Sequence, residues 1–373
     1  MLEAILYILY GVLLGVFVIA TIRLRFAYRH FRMKQLMTSA QIIEEMPGVT
    51  VCIPARNEDH AMTDCLHRVI ASNYPKLEII VLDDLSGDNT PALIKAFAQE
   101  GVRFVEGKKM PEGWLGKNHA LNELLNEASG KYVLFMDVDT RIEPDSIEQL
   151  VAYMHQENAR MISVLPRRDD GPRASVIFST LRYFWEIMFH RKSAPATASN
   201  AWMIDRKTFI DRWGGFEPFK NAIQPESRLS AELMSTNEYR FLMGTDMLGI
   251  SYEKKWRSQL MTSVRLLYPL LGTKVAHNII ALLDALIIAS PLYILLSIPL
   301  TGFTLHHAIA LGFYVAFGAL YASYLIKVWK RGWIVASSLW GLIMVQEAIL
   351  LGASAIAYKQ KAVTWKGRLV KAK

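Results

Sequence analysis

Two hydrophobic rhythms divide this chain. Long apolar runs lie toward its ends. Residues 4–22 carry no charge, 278–300 carry only Asp284, 305–326 have no Asp, Glu, Lys or Arg, and 333–358 carry only Glu347. Each run is long enough to cross about 30 Å of hydrocarbon. Between them the pattern changes to short apolar runs separated by amphipathic stretches. Strands are predicted at 49–54, 77–82, 102–105 and 132–136, where β-branched and apolar residues cluster between turn residues. Ala61, Met62, Cys65, Leu66, Val69 and Ile70 recur at helical spacing between the first two. Thr90-Pro91 reads as a cap followed by a helix running to about residue 100. Further helices are expected at 117–128 and, capped by Asp145-Ser146, to about 157. The order β-α-β-α-β-α-β implies a mostly parallel α/β sheet with helices on both faces and right-handed crossovers.

Beyond residue 161 the pattern is less regular. Strands are expected at 162–165 and 199–204. A short helix at 208–213 is stopped by Gly214-Gly215, and another runs from Gln224-Pro-Glu-Ser227 to about 235. Residues 176–189 are apolar and aromatic but hold Arg182 and Glu186, so they could lie on a membrane surface or pack under the sheet. Residues 253–271 mix Lys, Arg and Trp with apolar positions, as an interfacial helix does. The expected organisation is an N-terminal transmembrane anchor at 1–24, a basic connector at 25–48, an α/β domain at 49–250, an interfacial helix at 251–274, about three transmembrane helices at 275–358 and a basic tail at 359–373.

Composition sharpens this picture. Hydrophobic residues make up 52% of the chain, and the excess lies in the apolar runs. The first run is too long, and lacks the basic start and small-residue cleavage site, for a secretory signal peptide; a retained anchor is expected. The net charge is +8. Arg23, Arg25, Arg29, Arg32 and Lys34 follow the first run, and Lys327, Lys330 and Arg331 separate the last two. Such loops are expected to face the cytoplasm and its anionic lipids, in a multi-pass cell-membrane protein with a cytoplasmic α/β domain. Basic residues interleaved with stacking aromatics are missing from the soluble part, so no nucleic-acid partner is expected. Cys52 and Cys65 have no metal-ligand spacing and suggest no disulfide framework. Topology does not close, however. Three further crossings would leave the basic tail outside, against the positive-inside rule. Either an extra crossing exists or one segment is re-entrant, with residues 278–300 and their Pro291 and Pro299 expected to be that segment.

The candidate chemistry lies where predicted strands end. Tyr132-Val-Leu-Phe-Met-Asp-Val-Asp-Thr140 ends a buried strand with Asp137 and Asp139, one residue apart. Leu82 is followed by Asp83-Asp84. On one parallel sheet both pairs would line the same edge, where ligands of open α/β sheets bind. Two carboxylates at that spacing suit a hard cation such as Mg²⁺ or Mn²⁺. The bland alternative is an acidic turn that needs no metal.

Ile53-Pro-Ala-Arg-Asn-Glu58, Val81-Leu-Asp-Asp-Leu-Ser-Gly-Asp-Asn-Thr90 and Met136-Asp-Val-Asp-Thr140 together resemble the family 2 glycosyltransferases of GT-A fold, over roughly residues 49–231. Gly113-Trp-Leu-Gly-Lys-Asn-His-Ala-Leu121 and Val363-Thr-Trp-Lys-Gly-Arg368 resemble a membrane-bound branch associated with carotenoid and hopanoid glycosylation. The resemblance implies a nucleotide-sugar donor, usually UDP-linked, a divalent cation (Mn or Mg) and an inverting transfer. It implies that Pro54, Arg56 and Glu58 contact the nucleotide, Asp83 and Asp84 read uracil and ribose, and Lys117 approaches the diphosphate. Asp139 becomes the direct metal ligand, and Asp137 a ribose or water-bridged metal partner. Ser199, Asn200 and Trp202 fall on the acceptor side.

Two departures stand out. The family's base is usually the Asp of a Glu-Asp pair after Gly-Gly-Phe. Here Gly214-Gly215-Phe216 is followed by Glu226 in Gln-Pro-Glu-Ser. Glu226 is the candidate base and Glu217 the fallback; Glu226 could instead only stabilise a helix start. The Gln-x-x-Arg-Trp string of processive synthases is missing, so one transfer to a lipid acceptor, such as an isoprenoid, is expected. Glycerolipid or polyprenyl-phosphate acceptors are alternatives, as is a catalytically silent sugar-nucleotide-binding protein. His119, His277, His306 and His307 read as polar or interfacial residues. Asp284 and Glu347, within apolar runs, hint at a polar role or a helix contact.

Overall fold

The computed structural model describes residues 1–31, 46–169, 171, 173–244, 247–329, 331–365 and 368–369. Arg32, Lys34, Lys330, Lys366, Gly367 and residues 370–373 of the basic segments lie outside the described residues. In chain order the helices are α1 (Leu2–His30), α2 (Asp59–Ile70), α3 (Thr90–Ala96), α4 (Gly116–Glu127), α5 (Ser146–Gln156), α6 (Ala174–Ile177), α7 (Arg182–Met188), α8 (Arg206–Trp213), α9 (Pro225–Ser235), α10 (Trp256–Leu270), α11 (Val275–Leu296), α12 (Ile298–Thr301), α13 (Leu305–Val328), α14 (Trp333–Ser338) and α15 (Trp340–Lys359). The strands are β1 (Val49–Ala55), β2 (Leu77–Asp83), β3 (Val102–Glu106), β4 (Tyr132–Met136), β5 (Thr140–Ile142), β6 (Met161–Leu165), β7 (Arg167–Arg168), β8 (Ala201–Asp205), β9 (Tyr239–Met243) and β10 (Ile250–Tyr252).

The chain divides into two compact units, residues 31–167 with 190–253 and 365–373, and residues 1–30 with 168–189 and 254–364. The first is built on a seven-stranded sheet of order β3-β2-β1-β4-β8-β6-β9. Pairs β1–β2, β1–β4, β2–β3 and β6–β9 are parallel; β8 runs antiparallel to both β4 and β6. This is the mostly parallel sheet that the alternation predicts. The antiparallel β8 is the one turned strand. Met62, Cys65, Leu66 and Val69 of α2 are buried against Val51 and Ile53 of β1 in one apolar core, which explains the helical spacing in the sequence. After β3 the chain returns to the other side of β1, and β4 takes the next place in the sheet. The order therefore reverses between β1 and β4. That switch point, at the strands' C-terminal ends, is where an open α/β sheet leaves a crevice.

Some local details differ from expectation. Thr90 is the first residue of α3 and not its cap, because its hydroxyl is engaged by Glu58. Asp145 precedes α5 without capping it; its carboxylate accepts from Asn73 Nδ2 at 2.7 Å.

The second unit holds the apolar runs. Among the described residues, four helices are long and apolar enough to cross a membrane: 3–30, 275–296, 305–328 and 340–359. The N-terminal helix runs on through residue 30 without a break at 24, so Arg25 and Arg29 extend the same helix. Residues 278–300, the expected re-entrant stretch, contain the unbroken 22-residue α11 with Pro291 inside it. Such a helix is about 33 Å long and suffices for a crossing. It is the last apolar run that breaks, at Leu339, into α14 and α15. Residues 168–189 also belong here, although the α/β domain was expected to include them. Trp185 Nε1 donates to Glu347 Oε1 at 3.2 Å, and Gln346 Nε2 donates to Phe178 O at 3.0 Å. Phe184 packs on Tyr321 and Tyr324 of α13, and Glu347 makes a helix contact. Asp284 is exposed on α11.

Candidate functional site

The site is built by three adjacent parallel strands that end together. Register pairs Ala55 of β1 with Asp83 of β2, and Cys52 of β1 with Phe135 of β4. Arg56, Asp83 and Asp137 therefore leave the sheet at one edge. Asp83 and Asp137 are two strands apart, about 10 Å. β8 begins at the same edge because it runs antiparallel, with Ala201 opposite Met136. Asn200 O accepts from Asp137 N at 2.9 Å and from Thr140 Oγ1 at 3.0 Å. This ties the expected metal motif to Asn200.

The loops after β1 and β2 are clasped to each other. Asn57 N donates to Ser86 Oγ, Gly87 N to Asn57 Oδ1 and Glu58 N to Thr90 Oγ1, each at 2.9 Å. Asp88 accepts from Thr90 N at 3.0 Å and Asp59 N at 3.3 Å, so one carboxylate holds the starts of α2 and α3. Burial opposes its charge, but these donors prevail and hold its pKa below the ordinary value. Asn57 and Leu85 have φ of +52° and +54°. Non-glycine residues adopt this left-handed region only where surroundings enforce it. Here the clasp does. Arg56 Nη1 donates to the carbonyls of Asp84 and Leu85, so this arginine fixes the second loop. Pro54 and Glu58 stand half-buried on either side.

Asp83 and Asp84 are 4% and 3% exposed. Asp83 Oδ2 accepts from Ser86 N at 3.1 Å. Its Oδ1 is buried with no hydrogen-bond partner among the described residues. A buried carboxylate oxygen left so is costly and calls for a donor. Gly107 explains how β3 passes so close: its N–H donates to Asp83 O at 2.9 Å, and a Cβ there would meet that oxygen at 2.6 Å.

Lys117 lies in the first turn of α4, and its Nζ is 2.6 Å from Asp137 Oδ1, with both side chains about a quarter exposed. The cation and the carboxylate thus meet at the strand edge. Asp139 follows within the same turn, where its carbonyl accepts from Glu253 N at 3.3 Å. Nearby, burial pushes the Cys65 thiol pKa up, and the Asp139 charge adds to it. Asp137 and Asp139 are hard oxygen donors, which fits a divalent cation. Among the described residues no group of three or more His, Cys, Asp or Glu converges to hold an ion. Diphosphate and water oxygens would have to complete its shell.

The second half of the site hangs from α4. Asn118, 2% exposed, donates through Nδ2 to the carbonyls of Phe219 (2.8 Å), Lys220 (3.2 Å) and Ala222 (2.7 Å). Leu115 N donates to Lys220 O at 2.8 Å. The loop that leads to Glu226 is therefore pinned to the helix that carries Lys117. Sequence reasoning assigned Asn118 no role; its one signal was its place beside Lys117. Gly215 has φ of +92°, and Phe216 packs on Phe135 at 5.5 Å. Glu226 is 3% exposed in the first turn of α9, where the helix dipole favours a carboxylate. Glu217 is exposed and paired with Lys220 at 2.7 Å.

Trp202 is placed differently from Ser199 and Asn200. It is 1% exposed and packs on Phe135 with ring centroids 4.4 Å apart. Its indole belongs to the sheet core and supports the edge from beneath. The residues before Ser199 are fixed by Ser163, whose Oγ donates to Ala198 O at 2.8 Å, and by Tyr239, whose hydroxyl donates to Ala196 O at 2.7 Å.

Comparison with known proteins agrees with this fold. Residues 50–210 match glycosyl transferase family 2. The poly-beta-1,6-N-acetyl-D-glucosamine synthase of Staphylococcus aureus (strain COL) is 32% identical over 127 residues, 34% of this chain and 30% of that one. Its counterpart in Staphylococcus epidermidis is 35% identical over 104 residues, 28% and 24% of the two chains. The matches thus span under a third of the length of these curated relatives. Among solved structures, the mannosyltransferase PcManGT of Pyrobaculum calidifontis covers 96% of this chain and 98% of its own, with a TM-score of 0.58 and 19% identity, a likeness of fold. The family match ends at residue 210, before Glu226. The region that matches glycosyl transferase family 2, residues 50–210, has the GT-A fold and holds the strand edge where Arg56, Asp83, Lys117 and Asp137 lie.

Proposed function

We propose that this chain is a membrane-anchored glycosyltransferase that moves one sugar from a UDP-sugar to a lipid hydroxyl or carboxyl, an isoprenoid such as a carotenoid being the leading acceptor class, with its α/β domain on the cytoplasmic side. One observation carries the reading: an unmatched Asp83 oxygen, the Arg56 loop and the Lys117–Asp137 pair share one edge at the switch point of the sheet. The open Asp83 oxygen suits the N–H of a base, with Asp84 beside it for the ribose. Lys117 swings from Asp137 to the diphosphate, where its positive charge offsets the leaving group's charge. A bound Mn²⁺ or Mg²⁺ would act as a Lewis acid on the same diphosphate. Asp139 would be its direct ligand. Asp137, already engaged by Lys117, is the ribose or water-bridged partner. Glu226 removes the acceptor's proton from the face opposite the leaving group, which inverts the anomeric centre.

Support for the donor class comes from PcManGT, solved with GDP-Man and Mn²⁺. The staphylococcal relatives favour a second reading, since their names describe a polymer. On that reading the donor carries N-acetylglucosamine and transfer repeats. Purified protein incubated with UDP-sugars, GDP-mannose and membrane lipid, with Mn²⁺ or with chelator, separates these readings. Metal-dependent UDP release with one sugar added per lipid supports the proposal; GDP release changes the donor; long products support polymerisation. Glu226→Gln should lower turnover about 10²–10⁴-fold with donor binding intact. Unchanged turnover would move the base to Glu217. Donor binding without release in any mixture would mean a silent binding protein.

A further inference from the structure

We propose that residues 333–359 form a hairpin that enters and leaves the membrane on one side, so that the chain crosses three times and its C-terminus lies on the face where α1 ends. The argument uses only the apolar helices and stands apart from the transferase reading.

Direction follows from side-chain partners. α1 runs parallel to α13. Tyr10 OH meets His306 at 3.3 Å near both N-terminal ends, Phe17 packs on Phe317 at 5.6 Å in mid-span, and Lys327 Nζ sits 4.9 Å over the Tyr28 ring near both C-terminal ends. α11 and α13 are joined by the four-residue α12 and a short turn, where Ser297 Oγ meets His307 Nε2 at 3.1 Å. α11 therefore starts on the side where α1 and α13 end.

A third consecutive crossing would put Trp340 beside Val328 and Lys359 beside Leu305. The partners are otherwise. Trp340 packs on Phe317 at 5.7 Å and Tyr321 at 6.1 Å, in the middle of α13. A Cβ on Gly341 would meet Tyr314 at 2.8 Å and Leu292 at 3.0 Å. Toward the other end, Asn278 Nδ2 donates to Leu351 O at 3.3 Å, Ser354 Oγ to Val264 O at 2.6 Å and Tyr358 OH to Arg265 O at 2.6 Å. α15 thus runs antiparallel to α11 and ends beside α10 and the start of α11.

α14 supplies the way in. It climbs back along α13, where Gly318 leaves room for Ser337 O, 3.1 Å from where a Cβ would sit. Its tip is at Ser338, whose carbonyl accepts from Tyr314 OH at 2.7 Å. Tyr314 is fourteen residues before Val328, so the tip stands about 21 Å from that end of α13. A helix break inside hydrocarbon leaves carbonyls that must find donors within the protein, and the Tyr314 hydroxyl answers one of them. Ile334, Val335, Leu342, Ile349 and Ile356 are 44–65% exposed on this hairpin, apolar residues suited to lipid tails. The arrangement removes the conflict of charge: Arg23, Arg25, Arg29, Lys327, Arg331, Lys359 and Lys361 all fall on one side.

The test is cysteine labelling of the full chain in cells with a membrane-impermeant maleimide, before and after permeabilisation. Cys52 and Cys65 are buried and free and stay in place. Arg29→Cys and Lys361→Cys should label from one side, and Phe303→Cys from the other. Lys361→Cys labelling together with Phe303→Cys would overturn the hairpin, as would Ser338→Cys labelling from the Phe303 side. A green fluorescent protein fused after Lys373 checks the result without substitutions. Fluorescence supports the proposal, and a dark, translocated fusion overturns it.

Discussion

The two edges of the central sheet are made from the same strands and do opposite things. At the N-terminal edge the polar groups around Glu78 are matched by neighbours. Glu78 Oε2 accepts from Thr50 Oγ1 at 2.6 Å and from Ser129 N and Oγ at 2.9 Å each, and Gly130 N donates to Thr50 Oγ1 at 2.9 Å. Gly130 has no space for a side chain, since a Cβ would meet Thr50 N at 2.7 Å. At the C-terminal edge Asp83 keeps an oxygen without a donor, two residues sit at positive φ, and the Lys117–Asp137 pair faces partly into solvent. One edge uses its polar groups to close the fold. The other holds them in place for something that is not protein.

If that contrast is functional, substitutions at the open edge should remove activity and spare stability. The largest effect is expected for Asp139→Asn. Loss of this proposed ligand should lower sugar transfer about a thousandfold, since a bound cation contributes several kcal/mol at the transition state. Thermal unfolding should shift little. A matching loss of Mn²⁺ affinity by calorimetry would tie the two together; full activity in the variant would break the comparison. Lys117→Met should lower turnover about a hundredfold, by analogy with the loss of one charge-stabilising donor. Its effect should fall on turnover more than on the apparent KM for the donor.

A smaller effect tests the link between halves of the site. Asn118→Asp keeps the size of the side chain and removes the donor shared by three carbonyls. Turnover should fall about tenfold, by misplacing the Glu226 loop. Donor binding measured by calorimetry should be preserved. A loss of donor binding equal to the loss of turnover would make Asn118 an ordinary structural residue.

The open edge was largely legible in the sequence, because strands that end in Asp83-Asp84 and Asp137-Val-Asp139 announce where they stop. Order along the chain also placed both pairs on one sheet. What it could not give were the contacts that depend on folding the loops. Asn57, Ser86 and Asp88 looked like turn residues, and only the structure clasps them into one unit. Asn118 gave no periodic signal, since one buried amide reaching 101–104 residues onward leaves no local pattern. Trp202 was read with its polar neighbours. It packs in the core because register sets it directly opposite Phe135, while Asn200 bonds to the turn through its backbone carbonyl. The last apolar run is a similar case. Composition makes residues 333–358 a span, but helix breaks and partners decide where a span begins, and Leu339 carries no breaker signal.

The smallest effect belongs to the closed edge, and it should be the mirror image of the others. Glu78→Gln should leave transfer unchanged and lower stability by about 1–2 kcal/mol, the range for charge-assisted hydrogen bonds at a partly exposed carboxylate. Burial alone would raise the pKa of Glu78. The hydrogen bonds from Thr50 and Ser129 outweigh it, with Arg103 adding attraction, and hold it below the ordinary value of 4.5. A carboxyl whose pKa is lowered on folding stabilises the protein above its unfolded pKa, and that stability is lost as pH falls through the folded value. The gap in unfolding free energy between wild type and Glu78→Gln should therefore be full at pH 7 and shrink below about pH 4. A gap that does not change with pH would mean the ionised carboxylate is not what holds this edge. A loss of activity in Glu78→Gln at full occupancy of the folded state would mean the two edges are not independent, and the contrast between them would fail.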